Sequence, residues 1–271
     1  MRIVSLLPSA TEIVADLGLA GFLVGRSHEC NWPPTVADVP VVSTSVVDSA
    51  RLDSRDIDEA VKAAVSQGGR LYAIDADLIQ ELKPDVFLTQ DLCRVCAVSG
   101  DQLQDLQARI ISLGPHTIGD VADSVRSLGA ELGVEARGVE LAAQMLERIE
   151  NVRRRVADLP RPRVFVAEWT DPPYASGHWI PEMVEAAGGT EVLGRAGQRS
   201  VQTTWDTVRA AAPEIIVVAP CGFDLQRSRD EASKLDFDCR VVPVDADRYF
   251  VRPAPSIAEG VELLSGIFHG R

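Results

Sequence analysis

The sequence predicts an α/β protein of two Rossmann-like lobes joined by a single long helix, with a ligand cleft between the lobes. Three observations predict it. The first is an internal echo. Residues 81–93 run from a helix end through Lys83-Pro84-Asp85 into the apolar run Val86-Phe87-Leu88 and a loop carrying Cys93. Residues 210–221 repeat this with Ala212-Pro213-Glu214, Ile215-Ile216-Val217-Val218 and Cys221. The second is the alternation of short apolar runs with helical patterns, the mark of parallel strands with crossover helices. The third is a stretch from about 119 to 158 with helical period and no Pro. Open α/β sheets bind ligands outside the carboxyl ends of their strands, and Cys93 and Cys221 both fall at that end of the pattern.

The elements follow in order. Residues 2–7 are a strand, and Ser9-Ala10-Thr11-Glu12 reads as a capping box opening a helix that ends at Gly18. Leu23-Val24-Gly25 is a second strand, followed by the loop His28-Glu29-Cys30-Asn31-Trp32-Pro33-Pro34. Helices are predicted at 55–67 and 76–82, a strand at 85–90, a helix at 100–108 and a strand at 110–113. In the 119–158 stretch Leu141, Met145, Ile149 and Val152 make one apolar face. The run Leu159-Pro160-Arg161-Pro162 stops it. A second α/β unit begins at Arg163. It holds helices at 181–187, 204–211, 226–234 and 256–268 and strands at 163–168, 215–219 and 240–244. The predicted organisation is an amino-terminal lobe at 1–115, a connecting helical segment at 116–160 and a carboxyl-terminal lobe at 161–271. One rigid helical crossover predicts modest closing motion rather than a wide hinge.

Bulk composition narrows the function. A hydrophobic share of 46% with 25% charged residues is ordinary for a globular chain with two cores. The formal charge is 27 − 40 = −13, which excludes a phosphate-backbone partner, since nucleic-acid binding needs clustered Lys and Arg. The run Arg153-Arg154-Arg155 sits beside Glu147 and Glu150 and reads as a solvated mixed-charge face. No apolar run is long enough to span a membrane. The first residues lack an h-region and a small-residue cleavage site, so the expected compartment is the cytoplasm, with export as the alternative if a signal was removed. Five Cys residues, an odd count, point to thiols or a ligand site rather than a disulfide scaffold.

Three clusters carry chemistry. His28 and Cys30, with Glu29 between them, combine imidazole and thiolate donors suited to a transition metal, or they are a structural His and a buried Cys. Cys93-x-x-Cys96 reads as a redox pair, a metal clip or a loop staple. Together His28, Cys30, Cys93 and Cys96 supply enough donors for a tetrahedral site holding a metal such as zinc or iron. The third cluster runs from Pro172 through Tyr174, Gly177, His178 and Trp179 into a helix start, which favours anions and polar ligands. Trp205 and Asp247 complete a set of loop residues fit for a large, flat, partly apolar ligand. Asp77 opens a helix, where a carboxylate caps. No hydrolase, phosphate-loop or dinucleotide signature is present.

The opening run 3–12, Val24-Gly25-Arg26-Ser27 leading to Trp32-Pro33-Pro34, Leu82-Lys83-Pro84-Asp85 and Pro172-Pro173-Tyr174-Ala175-Ser176-Gly177 resemble the substrate-binding proteins of ABC importers for cobalamin and iron-siderophores, most of all the cobalamin branch. The likeness covers nearly the whole chain. It implies a non-enzymatic binding protein that holds a corrinoid or related metal chelate, with Trp32 and Tyr174 against the ring and Asp247 as a cleft acid. It also implies docking on an ABC permease through Asp77 and Asp206. The His28–Cys30 and Cys93–Cys96 elements lie outside the familiar exported pattern and resemble a cytosolic subgroup. They leave open a metal- or thiol-dependent enzyme on the same scaffold.

Overall fold

The computed structural model describes residues 1–49, 52–66, 71–90 and 108–270. The chain divides into two compact units. One comprises Met1–Gly114 with Ser124–Gly138, the other Pro115–Asp123 with Val139–Arg271.

The first unit is built on a four-stranded parallel sheet of β1 (Ile3–Ser5), β2 (Leu23–Arg26), β5 (Val86–Gln90) and β6 (Arg109–Leu113), in the order β2-β1-β5-β6. Both neighbours of β1 are reached by crossovers, through α1 (Pro8–Asp16) and through the segment that holds α2 (Ser54–Ser66) and α3 (Ala76–Leu82). Strands covered on both faces read as continuous apolar runs, and all five residues of β5 are buried. A small antiparallel pair, β3 (Ser43–Ser45) with β4 (Tyr72–Ile74), stands apart from this sheet. Val4, Leu6, Val42, Ile79 and Phe87 form a core cluster here.

The second unit holds β7 (Arg163–Thr170), β8 (Pro173–Ala175), β9 (Thr190–Glu191), β10 (Val201–Gln202), β11 (Ile215–Val218) and β12 (Arg240–Pro243). The order is β10-β8-β7-β11-β12, with β9 also paired to β7. β7, β11 and β12 run parallel, while β8 and β10 form an antiparallel edge. Around them lie α6 (Ile180–Ala186), α7 (Trp205–Ala210), α8 (Leu225–Ala232), the short α9 (Ala246–Tyr249) and α10 (Ile257–His269).

Between β6 and β7 the expectation of a single long helix is corrected. Two helices occur, α4 (Ile118–Glu131) and α5 (Glu135–Val156). The break lies at Leu132-Gly133-Val134, where Gly133 takes φ +78°, a left-handed turn open to glycine without strain. The absence of Pro concealed this stop. The chain enters the second unit at Pro115, returns to the first within α4 at Ser124 and leaves it again within α5 at Val139. The predicted apolar face of α5 is real: Met145, Ile149 and Val152 are buried, joined by Ala142 and Val156.

The capping box is also corrected. Pro8 is the first residue of α1, the N-cap is Leu7, and no side chain caps it. A Pro at that position sets the helical φ and needs no N–H, so the helix starts before Ser9. Ser9, Thr11 and Glu12 lie inside it, buried.

The sequence echo is physical. Lys83 and Ala212 both take left-handed φ, at 43° and 45°. Each precedes a Pro, and that Pro leads through an acid into a central strand. Asp85 accepts a hydrogen bond from the Arg2 backbone N–H at 2.7 Å, and Glu214 accepts one from Arg163 at 2.8 Å. The same two arginines donate through their side chains to the ends of the preceding helices, Arg2 to the Leu82 carbonyl at 2.6 Å and Arg163 to the Ala211 carbonyl at 2.6 Å. Cations at helix carboxyl termini complement the dipole there.

Candidate functional site

In the first unit the loop after β2 is tied down from within. The Arg26 guanidinium donates to the carbonyls of Val39 at 3.1 Å, Cys30 at 3.2 Å and Ala37 at 3.0 Å. Cys30 is fully buried. Its Sγ accepts from Thr11 Oγ1 at 2.9 Å and lies 3.3 Å from Ser27 Oγ. Thr11 Oγ1 is also 2.8 Å from Ser5 Oγ. This polar knot joins the end of β1, the start of α1 and the loop, so the thiol has a packing role. His28 is turned elsewhere. Its Nδ1 lies 3.1 Å from Ser43 Oγ, its Nε2 lies 3.3 Å from Glu29, and its ring meets Tyr72 at 5.6 Å. His28 and Cys30 thus address different neighbours. Cys93 and Cys96 lie outside the described residues. Among the described residues no group of three or more His, Cys, Asp or Glu is arranged to hold a metal. Trp32 is half-buried on the same loop, before a cis bond to Pro33.

In the second unit, two largely buried carboxylates organise the carboxyl-end loops. Glu168, near the end of β7, accepts from the Gly177 N–H at 2.9 Å and from the Ser200 hydroxyl. Glu191, at the end of β9, accepts from Val166 N–H at 3.2 Å, Gly194 N–H at 3.1 Å and Ser176 Oγ at 3.2 Å. Burial pushes the Glu168 carboxyl up to about 7 against the pull of its two hydrogen bonds, with the charge of Glu191 adding to the rise. Burial also raises Glu191. Neither acid belongs to the expected site residues. The available signal was an acid closing the apolar run Val164-Phe165-Val166-Ala167.

Those acids hold the segment that carries Tyr174, His178 and Trp179. Tyr174 lies half-buried on β8, opposite Trp169 and Gln202. His178 takes φ 51°, unusual for a residue with a side chain. It is pinned by its N–H to the Gln198 carbonyl at 2.6 Å and by the Gly197 N–H to its own carbonyl at 2.9 Å. Trp179 is buried and donates Nε1–H to the Phe250 carbonyl at 2.8 Å. Trp205 opens α7 with its ring edge-on to Phe165 at 6.2 Å and Phe237 at 5.4 Å, against the core. Asp247, on α9, pairs with the buried Arg252 at 2.7 Å. Trp169, the remaining tryptophan of the sequence, lies near the end of β7, half-buried against Phe223 at 5.2 Å, and Arg227 stacks on that phenylalanine at 3.7 Å.

Asp77 and Asp206 occupy matching places. Each is the second residue of a short helix, α3 or α7, that leads through the left-handed residue and Pro into a central strand. Both are exposed, Asp206 almost completely at 99%. The capping expected of Asp77 belongs to Asp75, whose Oδ1 accepts from the Leu78 N–H at 2.9 Å. Thr204 caps α7 in the same manner.

Two α/β units built on parallel central strands carry aromatic and acidic side chains at or near strand carboxyl ends, where proteins of this class hold their ligands. The chain belongs to the periplasmic binding protein family, whose model matches residues 3–237. It is similar to the vitamin B12-binding protein of Vibrio cholerae, 23% identical over 96% of this chain and 86% of the relative. It is likewise similar to that of Yersinia pestis, 26% identical over 97% and 84%. Among solved structures it shares its fold with the periplasmic vitamin B12-binding protein of V. cholerae (TM-score 0.67, 22% identity, 97% and 94% covered). It also matches a periplasmic haem-binding protein of Roseiflexus sp. RS-1 (TM-score 0.73, 22% identity, 99% and 98% covered). A third match is an Fe3+-hydroxamate ABC transport protein of Saccharomonospora viridis (TM-score 0.67, 20% identity, 99% and 93% covered). These relatives are substrate-binding proteins rather than enzymes, described as binding vitamin B12 or haem or as part of Fe3+-hydroxamate transport.

The expectation of a cytoplasmic protein is overturned. The family and its relatives are periplasmic, which points to export. The missing h-region in the first residues was no evidence about compartment. Among the described residues no helix is long and apolar enough to cross a membrane.

Proposed function

We propose that this protein is the substrate-binding component of an ABC importer for a corrinoid. The observation that carries the reading is the match to vitamin B12-binding proteins across 96–97% of the chain. The half-buried aromatics Trp32, on the loop after β2, and Tyr174, on the edge hairpin strand β8, support it, because each offers flat apolar surface. Asp247, held by Arg252, offers a fixed acceptor for amide groups at a corrin rim. The ligand binds without turnover, and specificity comes from shape and a few placed polar groups. Asp77 and Asp206, exposed at equivalent helix starts, serve as the acidic contacts to the permease, one from each unit.

The reading is tested by titrating the protein with hydroxocobalamin and following the quenching of its tryptophan fluorescence, since a corrin absorbs where indole emits. A saturable one-to-one curve is expected, weakened about tenfold or more in Trp32→Ala and Tyr174→Ala, the loss of roughly 1.4 kcal/mol or more per stacked ring. Unsaturable quenching in the wild-type protein would remove the corrinoid reading.

A further inference from the structure

We propose that His116 and His178 together form a site for a divalent transition-metal ion of the cobalt, nickel or zinc type. Both residues belong to the second unit. Their ring centroids are 5.5 Å apart, with the planes inclined at 40°. Two imidazoles sharing one tetrahedral ion at a metal–nitrogen distance of about 2.0–2.1 Å hold their centroids about 5.2 Å apart. The observed separation is close to that value. Each ring also keeps one buried nitrogen with no hydrogen-bond partner, Nδ1 of His116 and Nε2 of His178. A buried imidazole nitrogen normally finds a donor or acceptor, and a metal ion would satisfy both at once.

Both donors are held in place from behind. The His116 and Thr117 N–H groups donate to Asp120 Oδ2 at 2.9 and 3.0 Å, and the Ile118 N–H donates to Glu182 Oε2 at 2.6 Å. His178 is fixed by its two backbone bonds in a left-handed conformation that its side chain alone would not choose. The other two of the four histidines are engaged elsewhere, His28 with Ser43 and Glu29, and His269 with the Ala187 carbonyl at 3.1 Å.

Among the described residues no third His, Cys, Asp or Glu joins the pair. The remaining coordination positions therefore fall to water or to a small-molecule donor. The site is distinct in kind from a macrocycle's own metal. A corrin or porphyrin leaves only two positions, on opposite faces, so it can accept one of these rings but not both. The inference does not depend on the corrinoid reading.

The test uses the full chain, reduced and stripped of metal, titrated with Co2+ alone and followed by its visible absorption. One Co2+ per chain with tetrahedral-type bands is expected, displaced by Zn2+. His116→Gln and His178→Asn should each weaken binding at least tenfold. Asn is chosen at 178 because it tolerates the left-handed backbone. Unchanged affinity in both variants would overturn the proposal, as would a thiolate-to-cobalt charge-transfer band placing the ion on cysteines. If either variant fails to fold, X-ray absorption of the Co2+-loaded wild-type protein decides. Two imidazoles support the site; fewer than two, or sulfur in the shell, overturns it. Hydroxocobalamin titration of the same wild-type preparation reports separately on the chelate reading.

Discussion

Replacing Glu168 with Gln should flatten part of the pH dependence of stability. The Glu168 carboxyl is raised from 4.5 to about 7, because burial outweighs the two hydrogen bonds it accepts. The folded protein therefore holds a proton that the unfolded chain has released between those pH values. This contribution to stability is fully present below about pH 4.5 and is lost as pH rises through about 7. At about 1.36 kcal/mol per pKa unit the full swing is about 3.4 kcal/mol. Glu168 keeps some contact with solvent, which brings the expected figure to about 2–3 kcal/mol. Gln is neutral throughout and keeps an acceptor for Gly177. Urea denaturation of both proteins from pH 4.5 to 8.5 isolates the term as the difference between them. The wild-type protein should lose about 2–3 kcal/mol relative to the variant across this window and level off above pH 8. Glu191, raised in the same direction, leaves residual slope in both proteins. A difference that stays flat, or that grows in favour of the wild-type protein as pH rises, would refute the reasoning.

Three further outcomes are expected. Arg252 is only 2% exposed and paired with Asp247, so Arg252→Met should cost about 3–5 kcal/mol in urea denaturation by stranding a carboxylate, and adding Asp247→Asn should recover part of it. Gly177→Ala would drive a methyl into the backbone of Ser200 and Gln198, atoms that cannot rotate away. It should destabilise by more than about 2 kcal/mol and raise hydrogen exchange over 176–200. Asp77→Lys and Asp206→Lys alter exposed helix starts and should leave stability within about 0.5–1 kcal/mol. Ligand affinity should stay within about twofold, while uptake through the reconstituted importer falls at least tenfold. Normal uptake would remove the docking role.

Elements specified by local chemistry were legible in the sequence. The two Pro turns and the strands after them were readable because apolar runs bounded by Pro and an acid have few alternatives. The structure gives each turn a left-handed residue, Lys83 or Ala212, and an arginine anchor, Arg2 or Arg163. The break between α4 and α5 was missed because a lone Gly within a helical pattern is usually tolerated, and here it ends the helix. The capping box failed because Pro8 outcompeted Ser9 for the helix start. The short strands β8, β9 and β10 were invisible, since two or three residues carry no period.

The site was less legible than the fold. His28 and Cys30 looked like a cluster because they are close in sequence, yet the loop sends Cys30 into a hydroxyl knot and His28 toward Ser43. The pair that does meet, His116 and His178, comes from the segment after β6 and the loop before α6. Only the fold brings them together. Glu168 gave a weak cue, one acid at the end of an apolar run, which becomes informative once its hydrogen bonds are seen.

The central claim is that this chain binds a metal-centred chelate of the corrinoid class, and calorimetry tests it most directly. Hydroxocobalamin, haemin and a ferric hydroxamate would each be titrated into the full chain under one buffer and salt condition. The account predicts one-to-one binding of the corrinoid at micromolar Kd or tighter, at least tenfold tighter than the other two. Tighter binding of haemin or the hydroxamate, or no heat with any of the three, would contradict it.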